Sequence, residues 1–122
     1  MATGELAVIQ KTYDLVRWAC AHTAKFPRSH RFVLGERIER RLYDLLELLI
    51  QARYTRDRRD LLRRAKLCLE VLRYQVRLAH DLQCLRTASY EHAARLLHEI
   101  GAMVGGWLRS SSPGPAALPT PP

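Results

Sequence analysis

Apolar residues recur along this chain at intervals of three and four in four long runs, a period that predicts helices and not strands. The first run spans about Glu5 to Ala24, with Leu6, Ile9, Tyr13, Val16 and Cys20 on one side. The second spans about His30 to Tyr54 and turns Leu34, Ile38, Leu42, Leu45, Leu46 and Leu49 inward. Between them Pro27 stops the first helix, because the residue before a proline is pushed away from helical angles. Ser29 is expected to cap the second by accepting a hydrogen bond from a free backbone N–H. Thr55 or Asp57 can cap a third helix that continues to about Gln83, with Leu61, Ala65, Cys68, Leu72, Val76 and Ala79 as its main apolar stripe. Thr87 reads as the cap of a fourth, which carries Tyr90, Ala93, Leu97, Ile100, Val104 and Trp107 on one side.

Connections of only a few residues make consecutive helices antiparallel neighbours, so residues 1–109 are predicted to form one all-α domain, an up-down-up-down four-helix bundle. Helices of roughly 20 to 25 residues would be about 30 to 38 Å long. Beyond Arg109 the composition changes to Ser110-Ser111-Ser112-Pro113-Gly114-Pro115 and ends on Pro121-Pro122. Residues 110–122 are therefore expected to be a disordered tail that adds nothing to the fold.

On a helical wheel the third segment has three sectors. Beside the main stripe, Leu67, Val71, Tyr74 and Leu78 make a second apolar stripe at i, i+4, i+7 and i+11. One stripe suffices for a helix of an isolated bundle, so the second belongs either to a broad core or to a subunit interface. Arg59, Arg63, Lys66, Arg73 and Arg77 fall within an arc of about 80° on another side, interrupted only by Glu70. In the fourth segment Gly101 and Gly105 share a side with Ala94. Helix-interior glycine costs about 1 kcal/mol relative to alanine, which points to close approach of a neighbouring backbone or to a loosely packed helix end.

The formal charge of +8 and pI near 10.0 sharpen the reading of those faces. Lys11, Lys25 and Lys66 are the only lysines, and arginine is the residue that forks onto phosphate and stacks on bases. Between Arg53 and Lys66 stand seven basic residues against Asp57 and Asp60, and Arg37, Arg40 and Arg41 add a cluster on the second helix. An asymmetric basic surface suits phosphate binding, whereas an ordinary solvated face would show pairs such as Glu36 with Arg40. The nucleic-acid candidates are therefore Arg37, Arg40, Arg41, Arg59, Arg63, Lys66, Arg73 and Arg77. No base-reading motif is present, which favours recognition of backbone and shape.

Other chemistry finds little footing. None of His22, His30, His80, His92 and His98 has Glu three residues before it, as a di-metal bundle requires, and His80 with Cys84 does not complete a zinc site. There is no phosphate-cradling glycine loop and no nucleophile elbow, so neither catalysis nor a cofactor is expected. Cys20, Cys68 and Cys84 cannot all pair within one chain and lie on or near apolar faces, as reduced thiols of a cytoplasmic protein would. No run of about 18 uncharged apolar residues supports a membrane span, and no secretory leader is evident.

The stretch from Lys25-Phe26-Pro27-Arg28 through Phe32-Val33-Leu34-Gly35-Glu36-Arg37-Ile38 resembles the accessory variability determinant (Avd) proteins of diversity-generating retroelements. Lys11-Thr12-Tyr13-Asp14-Leu15, Asp44-Leu45-Leu46-Glu47-Leu48-Leu49-Ile50, Tyr90-Glu91-His92 and the run from Ile100 to Leu108 fit the same family, which covers the chain from about Lys11 to Arg109. The resemblance implies a four-helix protein assembling as a homopentameric ring, with Leu67, Val71, Tyr74 and Leu78 as the candidate oligomer interface. It further implies a non-catalytic partner of an error-prone reverse transcriptase that binds template-repeat RNA or DNA during mutagenic cDNA synthesis. A four-helix family encoded in intervening sequences of ribosomal RNA genes is also similar around Phe26-Pro27. It carries an Asn-Ile-Ala-Glu-Gly-like run where this chain is leucine-rich. A structural oligomer whose charges only keep it soluble is the rival from another class.

Overall fold

The computed structural model describes residues 2–111; of the predicted tail 110–122, Ser110 is the last residue of the final helix and Ser111 its cap, and 112–122 lie outside the described residues. Four long helices account for almost all of that length: α1 (Ala2–Thr23), α3 (Glu36–Arg53), α4 (Arg59–Asp81) and α5 (Thr87–Ser110). The short α2 (Arg28–His30) and a π-helical turn (Arg31–Gly35) lead into α3 without leaving helical dihedral angles. The π character shows in the Glu36 N–H, which donates back to the Arg31 carbonyl. Each long helix packs against two others, in the cyclic order α1, α3, α4, α5 and back to α1.

Side-chain pairs fix the directions. Glu5 meets Arg53 and Cys20 meets Tyr43, so α1 and α3 are antiparallel. Arg59 reaches Leu108 and His80 stacks on Tyr90, so α4 and α5 are antiparallel as well. Lys11 Nζ lies 2.8 Å from Glu99 Oε2, which closes the ring between α1 and α5 and holds the Glu99 carboxyl below the usual carboxylate range. The Cys20 thiol lies 3.4 Å from the Tyr43 hydroxyl, and that hydrogen bond is the main cause of raising Tyr43 above the ordinary phenol range.

The core runs along the axis through Leu42, Leu45 and Leu49 of α3, Leu62, Leu69 and Leu72 of α4, and Leu97, Ile100 and Val104 of α5. For α5 the buried set matches the expected stripe, with Tyr90 only half-buried. The face of α1 is different. Val8, Thr12, Leu15, Ala19 and Thr23 are buried, while Leu6 and Tyr13 are exposed and Ile9, Val16 and Cys20 sit at the core's edge. Two threonines on the inward face hid the true stripe. Thr12 Oγ1 donates to the Val8 carbonyl at 2.8 Å, and Thr23 Oγ1 donates to Glu39, so each hydroxyl is satisfied where it is buried. On α4 the core also takes Leu62 and Leu69, with Leu61 at its margin, and on α3 Ala52 is buried where Leu46 is only partly so.

The expected caps shift too. Pro27 takes the cap position before α2 and Ser29 lies inside the first turn. Arg58 precedes α4, leaving Thr55 and Asp57 in the loop, and Arg86 takes the extended cap geometry before Thr87. None of these three cap residues makes a side-chain cap hydrogen bond. The Pro27 carbonyl accepts from the His30 and Arg31 N–H groups at 2.9 and 3.0 Å, which starts the turn ahead of Ser29. Phe26, almost fully buried, folds back under the bundle beside Gly35, where an added Cβ would stand 3.4 Å from its ring.

Candidate nucleic-acid and assembly surface

α4 presents a banded outer face. On the side toward α3, Arg64 and Gln75 line clefts shared with that helix. Next comes the second apolar stripe, which the fold leaves on the surface: Leu67, Tyr74 and Leu78 are 66%, 69% and 46% exposed, and Val71 is half-buried. A broad core does not account for it. Beyond the stripe, on the side toward α5, lie Arg63, Lys66, Arg73 and Arg77. The two basic clusters are thus separate, since the apolar stripe of α4 stands between this row and the cluster Arg37, Arg40 and Arg41 of α3.

The arginines differ in what already holds them. Arg59 is half-buried and its Nη1 donates to the carbonyls of Leu108 at 3.2 Å and Ser111 at 3.0 Å, closing the C-terminus of α5. Its contacts are those of a structural residue. Arg73 pairs with Glu70 at 3.4 Å, and its Nη2 fills the space over Gly101, 2.8 Å from where a Cβ would stand. Arg109 lies over Gly105 in a similar way, at 3.4 Å. These two glycines therefore seat guanidiniums, and among the described residues no backbone of another helix comes within 4 Å of the added Cβ. Arg77 reaches Asp81 at 4.0 Å and Arg40 reaches Glu36 at 3.5 Å. Exposed pairs of this kind contribute about 0–1 kcal/mol and leave the cation able to exchange partners. Arg37, Arg63 and Lys66 are exposed and have no acidic partner among the described residues.

Between α3 and α4 lie two clefts of about 490 and 400 Å³ that share Arg41 and Asp44. Arg41 is half-buried and borders both clefts, and its backbone carbonyl accepts from the Cys68 thiol at 3.2 Å. Burial is the chief cause that pushes the Cys68 thiol up to about 11. The upper cleft is bordered by Phe32 and Val33 of the π-helical turn, both exposed, and by Gln75. The sequence pattern missed these three. The available signal was the run Phe32-Val33-Leu34, of which one helix face can bury only Leu34.

His80 stacks on Tyr90 with ring centroids 4.7 Å apart, and its Nε2 lies 3.2 Å from Thr87 Oγ1, a packing role. Among the described residues no three His, Cys, Asp or Glu gather to hold a metal, and no helix is long and apolar enough to cross a membrane.

The arrangement supplies charge and contact area in bands along two helices. A family model described as bAvd-like matches residues 6–111. No curated protein matches the chain.

Proposed function

The chain belongs to the bAvd-like family, the bacterial Avd-like proteins of diversity-generating retroelements, and from that premise we propose that it binds the reverse transcriptase and the template-repeat RNA or its cDNA as a ring of five copies. The family's role is accessory and non-catalytic. In this reading the polymerase carries the chemistry, and the present chain holds nucleic acid near it through charge.

One observation carries the nucleic-acid part: Arg63 and Lys66, exposed and without acidic partners among the described residues, stand in one row with Arg73 and Arg77 along α4. Phosphates bound there displace counterions, so affinity falls steeply with salt. Five copies would repeat the row around a ring, and a long strand touching several copies gains effective concentration without any new contact. The exposed apolar stripe beside the row supports the ring, since Leu67 and Tyr74 lack cover in a single chain.

The test is a salt titration of RNA binding with Arg63, Lys66, Arg73 and Arg77 all changed to Gln. Arg59 is left intact because it closes α5. Affinity should drop strongly, and the slope of log K against log salt should become shallower by roughly 0.7 for each phosphate no longer neutralised. Arg95→Gln on α5 should change little. An unchanged slope in the quadruple variant would remove α4 as the binding face and leave Arg37, Arg40 and Arg41 as the next to test.

A further inference from the structure

The upper cleft between α3 and α4 has a lining that phosphate binding alone does not explain. Phe32 is 63% exposed on the π-helical turn, with the Arg31 guanidinium 5.8 Å from its ring centroid. A π turn fits an extra residue into the helix, and here Phe32 and Val33 stay outside while Leu34 and Gly35 are buried. The cleft beside them, about 490 Å³, falls within the roughly 300–1,000 Å³ range of small-molecule sites. Arg37 and Arg41 line it together with Asp44 and Gln75. Gln75 is the unusual member. Its Oε1 is buried and meets no donor among the described residues. A buried polar atom of that kind calls for a reason. Turning that end of the side chain toward the cleft would cost Oε1 no hydrogen bond.

These features match one chemistry. An aromatic face stacks on a base, an amide and a carboxylate read donors on a base edge, and guanidiniums hold the flanking phosphates. A paired base has no free face to give, because its neighbours in the duplex cover it. A second copy of this chain has a larger apolar surface to meet on the stripe of α4, and it would not answer the polar wall of this cleft. We propose that the cleft takes a single unpaired nucleotide, its base against Phe32 and its edge toward Gln75 and Asp44. The proposal rests on the reading of the chain as a nucleic-acid-binding protein.

The experiment measures fluorescence anisotropy of the full chain with a labelled, unstructured single-stranded RNA and with the blunt duplex of the same sequence. Phe32→Ala should weaken single-strand binding about tenfold, leave duplex binding within about twofold, and leave the salt slope unchanged, because a stack carries no charge. Gln75→Leu should weaken single-strand binding by roughly three- to fivefold, again at constant slope. Phe32 is largely exposed, so the variant should keep its circular dichroism, and Gln75→Leu serves as the independent check. If the wild type binds single strands and both variants match it, the cleft is not a base site, although the charge reading survives. The base site is equally overturned if Phe32→Ala changes the mass by light scattering while single-strand affinity holds, which would mark a subunit contact. If the wild type binds neither probe at low salt, the nucleic-acid reading itself falls and this proposal with it.

Discussion

Gln83 ends α4 at a φ of 64°, the left-handed region that costs an L-residue roughly 1–2 kcal/mol. The Cys84 N–H donates to the Ala79 carbonyl at 2.7 Å and the Gln83 N–H to the His80 carbonyl at 2.9 Å, the paired bonds of a Schellman end, where glycine is the usual occupant. Gln83→Gly should raise stability by somewhat under about 1 kcal/mol, once the added freedom of glycine in the unfolded chain is subtracted. Thermal unfolding would show it, and an unchanged midpoint would mean that the glutamine already meets the strain. A second residue gives a pH dependence. Burial moves the Cys68 thiol from 9.0 to about 11, so across that window the unfolded chain releases a proton that the folded chain keeps. Its contribution is complete below pH 9 and is lost as pH rises toward about 11, and Cys84, raised by burial too, acts in the same direction. Urea denaturation of the wild type and Cys68→Ala on both sides of that window should show a smaller alkaline loss in the variant. Equal losses would assign the effect to other groups.

At the scale of the element, α4 does two jobs with opposite sides. Leu62, Ala65, Leu69 and Leu72 are buried, while Leu67 and Tyr74 are carried outward. Leu67→Glu with Tyr74→Glu should therefore dissociate the proposed ring and leave helical circular dichroism intact, read by light scattering beside dichroism. Loss of helix would place these residues in protomer packing. The wheel made the outward apolar stripe of α4 legible in advance because position alone separates it from the core, although Leu62 and Leu69 were left out of the inward one. The inward face of α1 was not legible, because Thr12 and Thr23 look polar until their hydroxyls are seen bonded within the core. For the same reason Arg59 looked like its neighbours: a wheel shows that a guanidinium points away from the core, and the carbonyls of Leu108 and Ser111 come from a helix far along the chain. The upper cleft was hidden for a third reason. Its π turn breaks the period on which any wheel depends.

For the molecule as a whole, two four-helix families are similar around Phe26-Pro27, and the family match over residues 6–111 decides for Avd. Within the bundle Lys11 is tied to Glu99 and Arg59 to the end of α5, so these two cations are committed to contacts between helices. The pole where α1 starts and α5 ends is held differently. Glu5 lies 3.7 Å from Arg53 and 3.3 Å from Arg58, Arg58 stands 5.7 Å from the Trp107 ring, and Gly4, Glu5, Gly106 and Trp107 border one small cavity. The first turn of α1 and the last turn of α5 are thus neighbours on antiparallel helices, which fixes how the protein responds to tension. Pulled apart from its two ends, it should open like a zip, one helical turn at a time, at low force, because no row of contacts is loaded together in shear. The clasp at Glu5 is the first thing to bear load. Glu5→Gln, which leaves two guanidiniums short of a carboxylate, should cost roughly 1–3 kcal/mol and lower the force of the first step in an optical trap while the later steps keep theirs; a uniform weakening of every step would show that the load spreads along both helices from the start.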